Sequence, residues 1–249
     1  MSGIKNQVGD WYPLLEPIVT SDYFKKVATQ IKKQKAMGLR IYPDTKVTFR
    51  AFKMCQFADV KVVILGQDPY HDGSATGLAF ANNDQSPRMS PSLHWITKAI
   101  EHDYDTLCVN FDVTLEEWAQ QGVLLLNTAL TVVSGNAGSH VALWDKFTKD
   151  FIQHLSEQKD NVIFVMLYLY YGASMLKVML NTLKEIIKLL LRHTLLPMLT
   201  LVVVLGFTLV AHLGTLILFF LVLLNGTRIV VSRCLVSVIQ RLFKYTKYV

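Results

Sequence analysis

The feature that most constrains the fold is an apolar run, Val60-Lys61-Val62-Val63-Ile64-Leu65, that stops at Gly66 and opens into Gln67-Asp68-Pro69-Tyr70-His71-Asp72-Gly73. A short β-branched run ended by a glycine reads as a strand buried on both faces, the kind a parallel sheet uses. In open α/β sheets, ligands gather beyond the carboxyl ends of such strands. The loop after this strand carries an amide, a carboxylate, an aromatic ring and an imidazole, and Pro69 fixes one of its backbone angles. Four chemistries on one stiffened loop point to a site rather than to packing.

Residues 1–165 otherwise read as an ordinary α/β chain. Helices are predicted over 21–33, 45–57, 92–102, 114–121 and 144–158. Ser21 is placed to cap the first, in which Tyr23, Phe24, Val27 and Ile31 recur at helical spacing between lysines. The last carries Trp144, Phe147, Phe151, Ile152 and Leu155 on one face. Residues 123–126 and 162–165 read as two further buried strands. Strands alternating with helices predict a parallel sheet covered by helices. The polar N-terminus, residues 1–11, has no signal-peptide core. Cys55, Cys108 and Cys234 are odd in number and lack metal-ligand spacing, which favours a reducing compartment.

Residues 166–249 have a different texture. They hold nine Lys and Arg and one acid, Glu185. Taking these from the totals of 25 and 19 leaves 16 bases and 18 acids in the first 165 residues, so the net charge of +6 is no argument for nucleic-acid binding. Any such contact must come from local groups. No Asp, Glu, Lys or Arg occurs between Thr194 and Thr227, and the Leu/Val-rich stretch 199–224 exceeds the roughly 20 residues a membrane-spanning helix needs. The division is therefore drawn at 1–165, an α/β domain, and 166–249, an apolar tail with basic flanks.

Several stretches in the first part resemble the family 1 uracil-DNA glycosylases. They are Val63-Ile64-Leu65-Gly66-Gln67-Asp68-Pro69-Tyr70-His71, Gly77-Leu78-Ala79-Phe80, Ser90-Pro91-Ser92-Leu93, Trp118-Ala119 through Gly122-Val123-Leu124-Leu125-Leu126-Asn127-Thr128, and Gly135 through Ser139-His140 with Trp144. They come in the family's order and at its spacing, covering about residues 11–165. The resemblance implies a three-layer α/β/α fold on a short, mainly parallel four-stranded sheet. It also implies a monomeric repair hydrolase without metal or cofactor, acting on single- or double-stranded uracil-containing DNA in the cytoplasm, or in the nucleus of a eukaryote. Such enzymes flip deoxyuridine out of the helix and cut its N-glycosidic bond with water.

By that resemblance, Asp68 is the catalytic carboxylate that stabilises an oxocarbenium-like transition state. Asn127 pairs with the uracil edge, which presents an acceptor beside an N–H donor. Cytosine reverses that pattern and leaves buried groups unpaired. Tyr70 shuts out the thymine methyl, Phe80 stacks on the base, and Gln67 offers its backbone amide to a uracil oxygen. His71 supports the water, although a purely structural histidine is an equal reading. Ser90, Ser92, Ser139 and His140 fall in loops that hold the DNA backbone, although Ser-Pro-Ser before a helix is equally an ordinary cap.

Two elements of the family are missing. The third strand should reach a Trp-Gly pair, but the chain reads Val162-Ile163-Phe164-Val165-Met166-Leu167-Tyr168. The later His-Pro-Ser loop, which supplies an electrophilic histidine, a wedge and phosphate-binding serines, has no counterpart in the sequence. Three origins of the tail stand in this order: a change of reading frame, a membrane segment within 199–224, and a buried core filler. For the first, codons for Phe207-Thr208-Leu209-Val210 read two nucleotides on can spell His-Pro-Ser. A weak fourth strand is placed at 201–205. The leading function is a uracil-DNA glycosylase slowed by loss of that loop. The alternative is an inactive glycosylase-like module that binds DNA or a protein, with a membrane tether as a further option.

Overall fold

The structure, a computed structural model, describes residues 2–83, 89–104, 107–109, 111–159, 162–170, 206–209 and 216–223. It is of mixed α/β type. Two short helices open the chain, α1 (Ser2–Val8) and α2 (Tyr12–Val19), joined by the single 3-10 turn Gly9–Trp11. The sequence reading had no elements here. They bring Val8, Trp11, Leu14, Leu15 and Ile18 into the core. Helix α3 (Asp22–Ala36) starts where its cap predicts, with the Ser21 hydroxyl accepting from the Phe24 N–H at 3.1 Å.

Next come strand β1 (Ile41–Tyr42) and helix α4 (Arg50–Met54). The helix predicted over 45–57 shrinks because residues 45–49 are turns. The Asp44 carboxylate accepts from the Lys46 N–H at 2.9 Å, and its carbonyl accepts from the Val47 N–H at 3.0 Å, so the chain is committed to a turn first. Strand β2 (Val62–Gly66) follows, then α5 (Pro91–Tyr104), α6 (Glu116–Gln120), β3 (Val123–Asn127), β4 (Val132–Val133), α7 (Val141–Gln158) and β5 (Ile163–Tyr170).

Two further strands lie in the tail, β6 (Gly206–Leu209) and β7 (Leu216–Leu223). The main sheet runs β3-β2-β5-β7-β6, and β1 and β4 form a separate antiparallel pair. Strand β2 is parallel to both β3 and β5, whereas β5–β7 and β7–β6 are antiparallel. The three strands legible in the sequence are thus the parallel ones. The sheet has five strands rather than four, and its far edge is antiparallel. The strand expected at 201–205 lies outside the described residues. Within 199–224, the described residues 206–209 and 216–223 are strands of this sheet. No helix among the described residues is long and apolar enough to cross a membrane.

Every residue of β2 and of β3 is buried, as expected for strands covered on both faces. Helix α7 packs against α2 and α3, while α4 and α6 pack against β3. The core beside the sheet is aromatic. Trp11 meets Phe52 edge-on at 5.3 Å and Phe57 at 5.2 Å, and Trp144 meets Phe147 at 5.4 Å. Each such side chain contributes about 1.5–3 kcal/mol on burial. The Trp11 indole N–H donates to the Cys55 carbonyl at 2.6 Å, which fixes the N-terminal segment against α4.

Candidate active site at the carboxyl edge of the sheet

The register of the two central strands sets the geometry. Val62 pairs with Val123, and the pairing runs without a slip to Gly66 opposite Asn127. Both strands therefore end level, with Asn127 the last residue of β3 opposite Gly66 and Asp68 two residues beyond Gly66. Two bonds seal the junction: the Thr128 N–H donates to the Gly66 carbonyl at 2.8 Å, and the Ala129 N–H to the Gln67 carbonyl at 2.9 Å. The Thr128 hydroxyl adds a third, also to the Gln67 carbonyl, at 2.8 Å.

Gly66 is required here for space. A Cβ on it would lie 2.4 Å from Asn127 Oδ1, 3.0 Å from Phe80 Cζ and 3.2 Å from Ala79 Cβ. The Asn127 carboxamide and the Phe80 ring therefore converge over the bare Gly66 backbone. The Ala79 N–H donates to the Leu125 carbonyl at 3.0 Å, clamping the Phe80 segment onto β3. Phe80 itself sits at φ 66°, a left-handed conformation that costs a non-glycine residue energy. The Tyr70 hydroxyl bonds the Phe80 carbonyl at 2.8 Å and the Ser90 hydroxyl at 2.5 Å. Tyr70, Phe80, Asn127 and Ser90, drawn from four separate stretches of sequence, thus form one connected cluster.

Asp68 is held from two sides. Its Oδ2 accepts from the Gly138 N–H at 2.5 Å, and its Oδ1 accepts from the Gln67 carboxamide at 3.2 Å. Burial pushes its carboxyl above the ordinary value, outweighing the Gly138 N–H, the His71 imidazole and the Gln67 amide, each of which favours the charged form. Gly138 is at φ 76°, so the turn that aims its amide needs a glycine. The sequence reading passed over Gly138, Thr128 and Thr131. Backbone donors carry no side-chain signal. For Gly138 the only hint was a glycine within the noted stretch.

The remaining expected residues divide. His71 is exposed, and its carbonyl accepts from the Gly135 N–H at 3.0 Å, which ties the 134–140 turn to the Asp68 loop. Ser90 caps α5, its hydroxyl accepting from the Leu93 N–H at 3.3 Å, and Ser92 lies in that helix's first turn. The Ser139 hydroxyl accepts from the Val133 N–H at 2.9 Å. The His140 ring is turned inward: it is 1 % exposed, and both ring nitrogens are engaged, with Thr131 Oγ1 at 2.8 Å and with Gln34 Oε1 at 2.8 Å. Burial also lowers its pKa, which keeps the ring neutral.

Comparison with known proteins gives the family. The family model of the uracil DNA glycosylase superfamily matches residues 52–221, a span that begins in α4 and continues into β7. A uracil-DNA glycosylase of Pseudoalteromonas translucida is 37% identical over 161 residues, which are 64% of this chain and 73% of the relative. One from Neisseria gonorrhoeae is 40% identical over 158 residues, 63% of this chain and 72% of the relative. Among solved structures, the mimivirus uracil-DNA glycosylase superposes with a TM-score of 0.59 at 26% identity, covering 68% of this chain and 62% of that one. With more than half its length matched by the family model and its sheet-edge loops in place, the chain belongs to the uracil DNA glycosylase superfamily.

Proposed function

We propose that the chain excises uracil from DNA, with Asp68 as the catalytic carboxylate and Asn127, Tyr70, Phe80 and Gln67 as the uracil-binding groups. The observation that carries this reading is the level ending of β2 and β3, which brings Asn127 and the Phe80 ring together over a backbone kept bare at Gly66, two residues before Asp68.

The chemistry follows from the geometry. Breaking the N-glycosidic bond leaves positive charge on the sugar, and a carboxylate facing it stabilises that charge. The Gly138 and Gln67 donors hold Asp68 in a fixed orientation, and they stabilise its ionised form despite burial. An oriented carboxylate is also what a nucleophilic water needs as its acceptor. The Asn127 carboxamide, buried at 8 % exposure, matches the acceptor-donor edge of uracil and mismatches cytosine. Tyr70, whose hydroxyl is held by the Phe80 carbonyl and the Ser90 hydroxyl, is the group assigned to exclude a C5 methyl, and that anchoring supports the assignment. The Phe80 ring beside Asn127 gives the flipped base a stacking face.

The sequence contains no His-Pro-Ser string. Loss of one preorganised donor to a developing oxyanion lowers a rate by about 10²–10³. Excision by this chain is therefore expected to be slow but specific. Two donors dedicated to one carboxylate favour an enzyme over a non-catalytic binding module. The test is release of uracil from a single-stranded oligonucleotide containing one deoxyuridine, next to the same strand with thymidine. Slow uracil release that Asp68→Asn abolishes, with no thymine release, supports the assignment. Absence of release together with absence of uracil binding rejects it.

A further inference from the structure

Behind the site runs a chain of side-chain hydrogen bonds that the uracil-binding groups do not use. The Trp144 indole N–H donates to Thr131 Oγ1 at 2.7 Å. Thr131 Oγ1 lies 2.8 Å from His140 Nδ1, and His140 Nε2 lies 2.8 Å from Gln34 Oε1. A carboxamide oxygen only accepts, so Nε2 carries the proton and donates to Gln34. His140 Nδ1 is then the acceptor for the Thr131 hydroxyl, whose oxygen takes the indole proton. The three bonds run in one direction, from α7 through the ring to α3. Trp144 is 2 % exposed, Thr131 3 % and His140 1 %, and Gln34 closes the series at the half-buried face of α3.

His140 is also two residues from Gly138, whose N–H meets Asp68. The turn between them is tight: the Val141 N–H donates to the Gly138 carbonyl at 3.1 Å and the Ser139 N–H to the Asn136 carbonyl at 3.3 Å. The Trp144 N–H then donates to the His140 carbonyl at 3.1 Å, which makes the turn continuous with the first turn of α7. The other end of the loop is fixed by Ser134 donating to the Arg40 carbonyl at 2.8 Å and Gly135 donating to the His71 carbonyl at 3.0 Å. The His140 ring is the anchor on the Gly138 side.

We propose that the hydrogen-bonded series Gln34–His140–Thr131–Trp144 is a positioning device for the catalytic site, with Gln34 and His140 as positioning residues that hold the Gly138 amide on Asp68. It rests on the reading of Asp68 as the working carboxylate. Gln34 stands 34 positions before Asp68 in sequence and on a different element, yet it sets that carboxylate's donor. A loosened Gly138 amide withdraws a hydrogen bond that favours the ionised form, leaving, among the described residues, the Gln67 carboxamide and the His71 imidazole to oppose the burial of Asp68.

The test uses the full chain with Gln34→Ala, Thr131→Val and Gln34→Glu. Alanine suits a helix surface, whereas Thr131→Val leaves the buried Trp144 N–H and His140 Nδ1 without a partner, so its melting curve is recorded beside its titration. The Asp68 carboxyl is titrated by ¹³C NMR on aspartate-labelled protein, and the acid limb of kcat is followed where excision is measurable. Gln34→Ala and Thr131→Val are expected to move the Asp68 titration and the acid limb upward by about half a unit or more. KM for uracil-containing DNA should stay within about twofold, and Gln34→Glu, which keeps an acceptor, should restore the parent titration. An Asp68 titration unchanged in both Gln34→Ala and Thr131→Val, with only the melting temperature lowered, overturns the proposal and leaves the series a fold anchor. The NMR arm needs no turnover, so an inactive parent chain rejects the assigned activity without deciding this question.

Discussion

Gly66→Ala isolates the geometry on which the site depends. The added methyl would stand 2.4 Å from Asn127 Oδ1, whereas ordinary contact begins at 3.4 Å. The carboxamide must therefore retreat by about 1 Å, and it is flanked by the Phe80 ring at 3.0 Å and the Ala79 methyl at 3.2 Å from the same point. Forcing a methyl into a filled space costs about 1–3 kcal/mol. In a chain of this length each 1 kcal/mol lowers the melting midpoint by about 2–4 °C. A misplacement of about 1 Å at a reacting or recognising group costs about 10²-fold in rate. Gly66→Ala should therefore melt a few degrees lower and lose about two orders of magnitude in kcat/KM for uracil release.

A double-mutant cycle with Asn127→Ala supplies the control. If the clash is with the carboxamide, removing it lets the Gly66 methyl fit, and Gly66→Ala/Asn127→Ala should be more stable than Gly66→Ala alone. Binding of free uracil, followed by calorimetry, should be weakened in all three variants. A Gly66→Ala protein that binds uracil and excises it within threefold of the parent would refute the argument. So would a double variant no more stable than Gly66→Ala, since the strain would then lie elsewhere.

Two further outcomes follow from burial. Asp68 has its folded pKa raised above the ordinary 3.8 by burial, so the folded state holds this proton more tightly than the unfolded chain does. Stability from this group is therefore lost as pH rises from below 3.8 through the folded titration. Asp68→Asn should melt above the parent at pH 7 while losing activity, and the difference should close below pH 3.8; a gain that persists there would count against the linkage. The Cys55 thiol, fully buried, is pushed up to about 12 and should resist a thiol reagent at pH 8 in native protein. Peptide mapping that finds Cys55 modified before unfolding would contradict its complete burial.

What the sequence made legible was what depends on near neighbours. The β2 and β3 strands announced themselves as unbroken apolar runs, and the positions of Asp68, two residues past β2, and Asn127, at the end of β3, could be read from them. The Ser21 cap and the apolar face of α7 are equally local. Helix α2 carries two prolines, residues that weigh against a helix from sequence alone, although Pro13 sits in the first turn, where no N–H partner is lost. The inward-facing His140 ring was not legible because its partner Gln34 lies 106 positions away.

The same distinction separates recognition from tuning. Groups that would meet the base are side chains at strand ends, where residue type and chemistry coincide. The donor that holds Asp68 is a backbone N–H, which every residue but proline has, and its aim is decided by a buried histidine clasped from another helix. Substitutions at Gln34 or Thr131 could thus alter the carboxylate while leaving each sequence motif intact. Chains carrying the Gln67-Asp68-Pro69-Tyr70 pattern should accordingly differ in acid-limb pKa according to what occupies the positions equivalent to Gln34 and Thr131, even where their loops are identical.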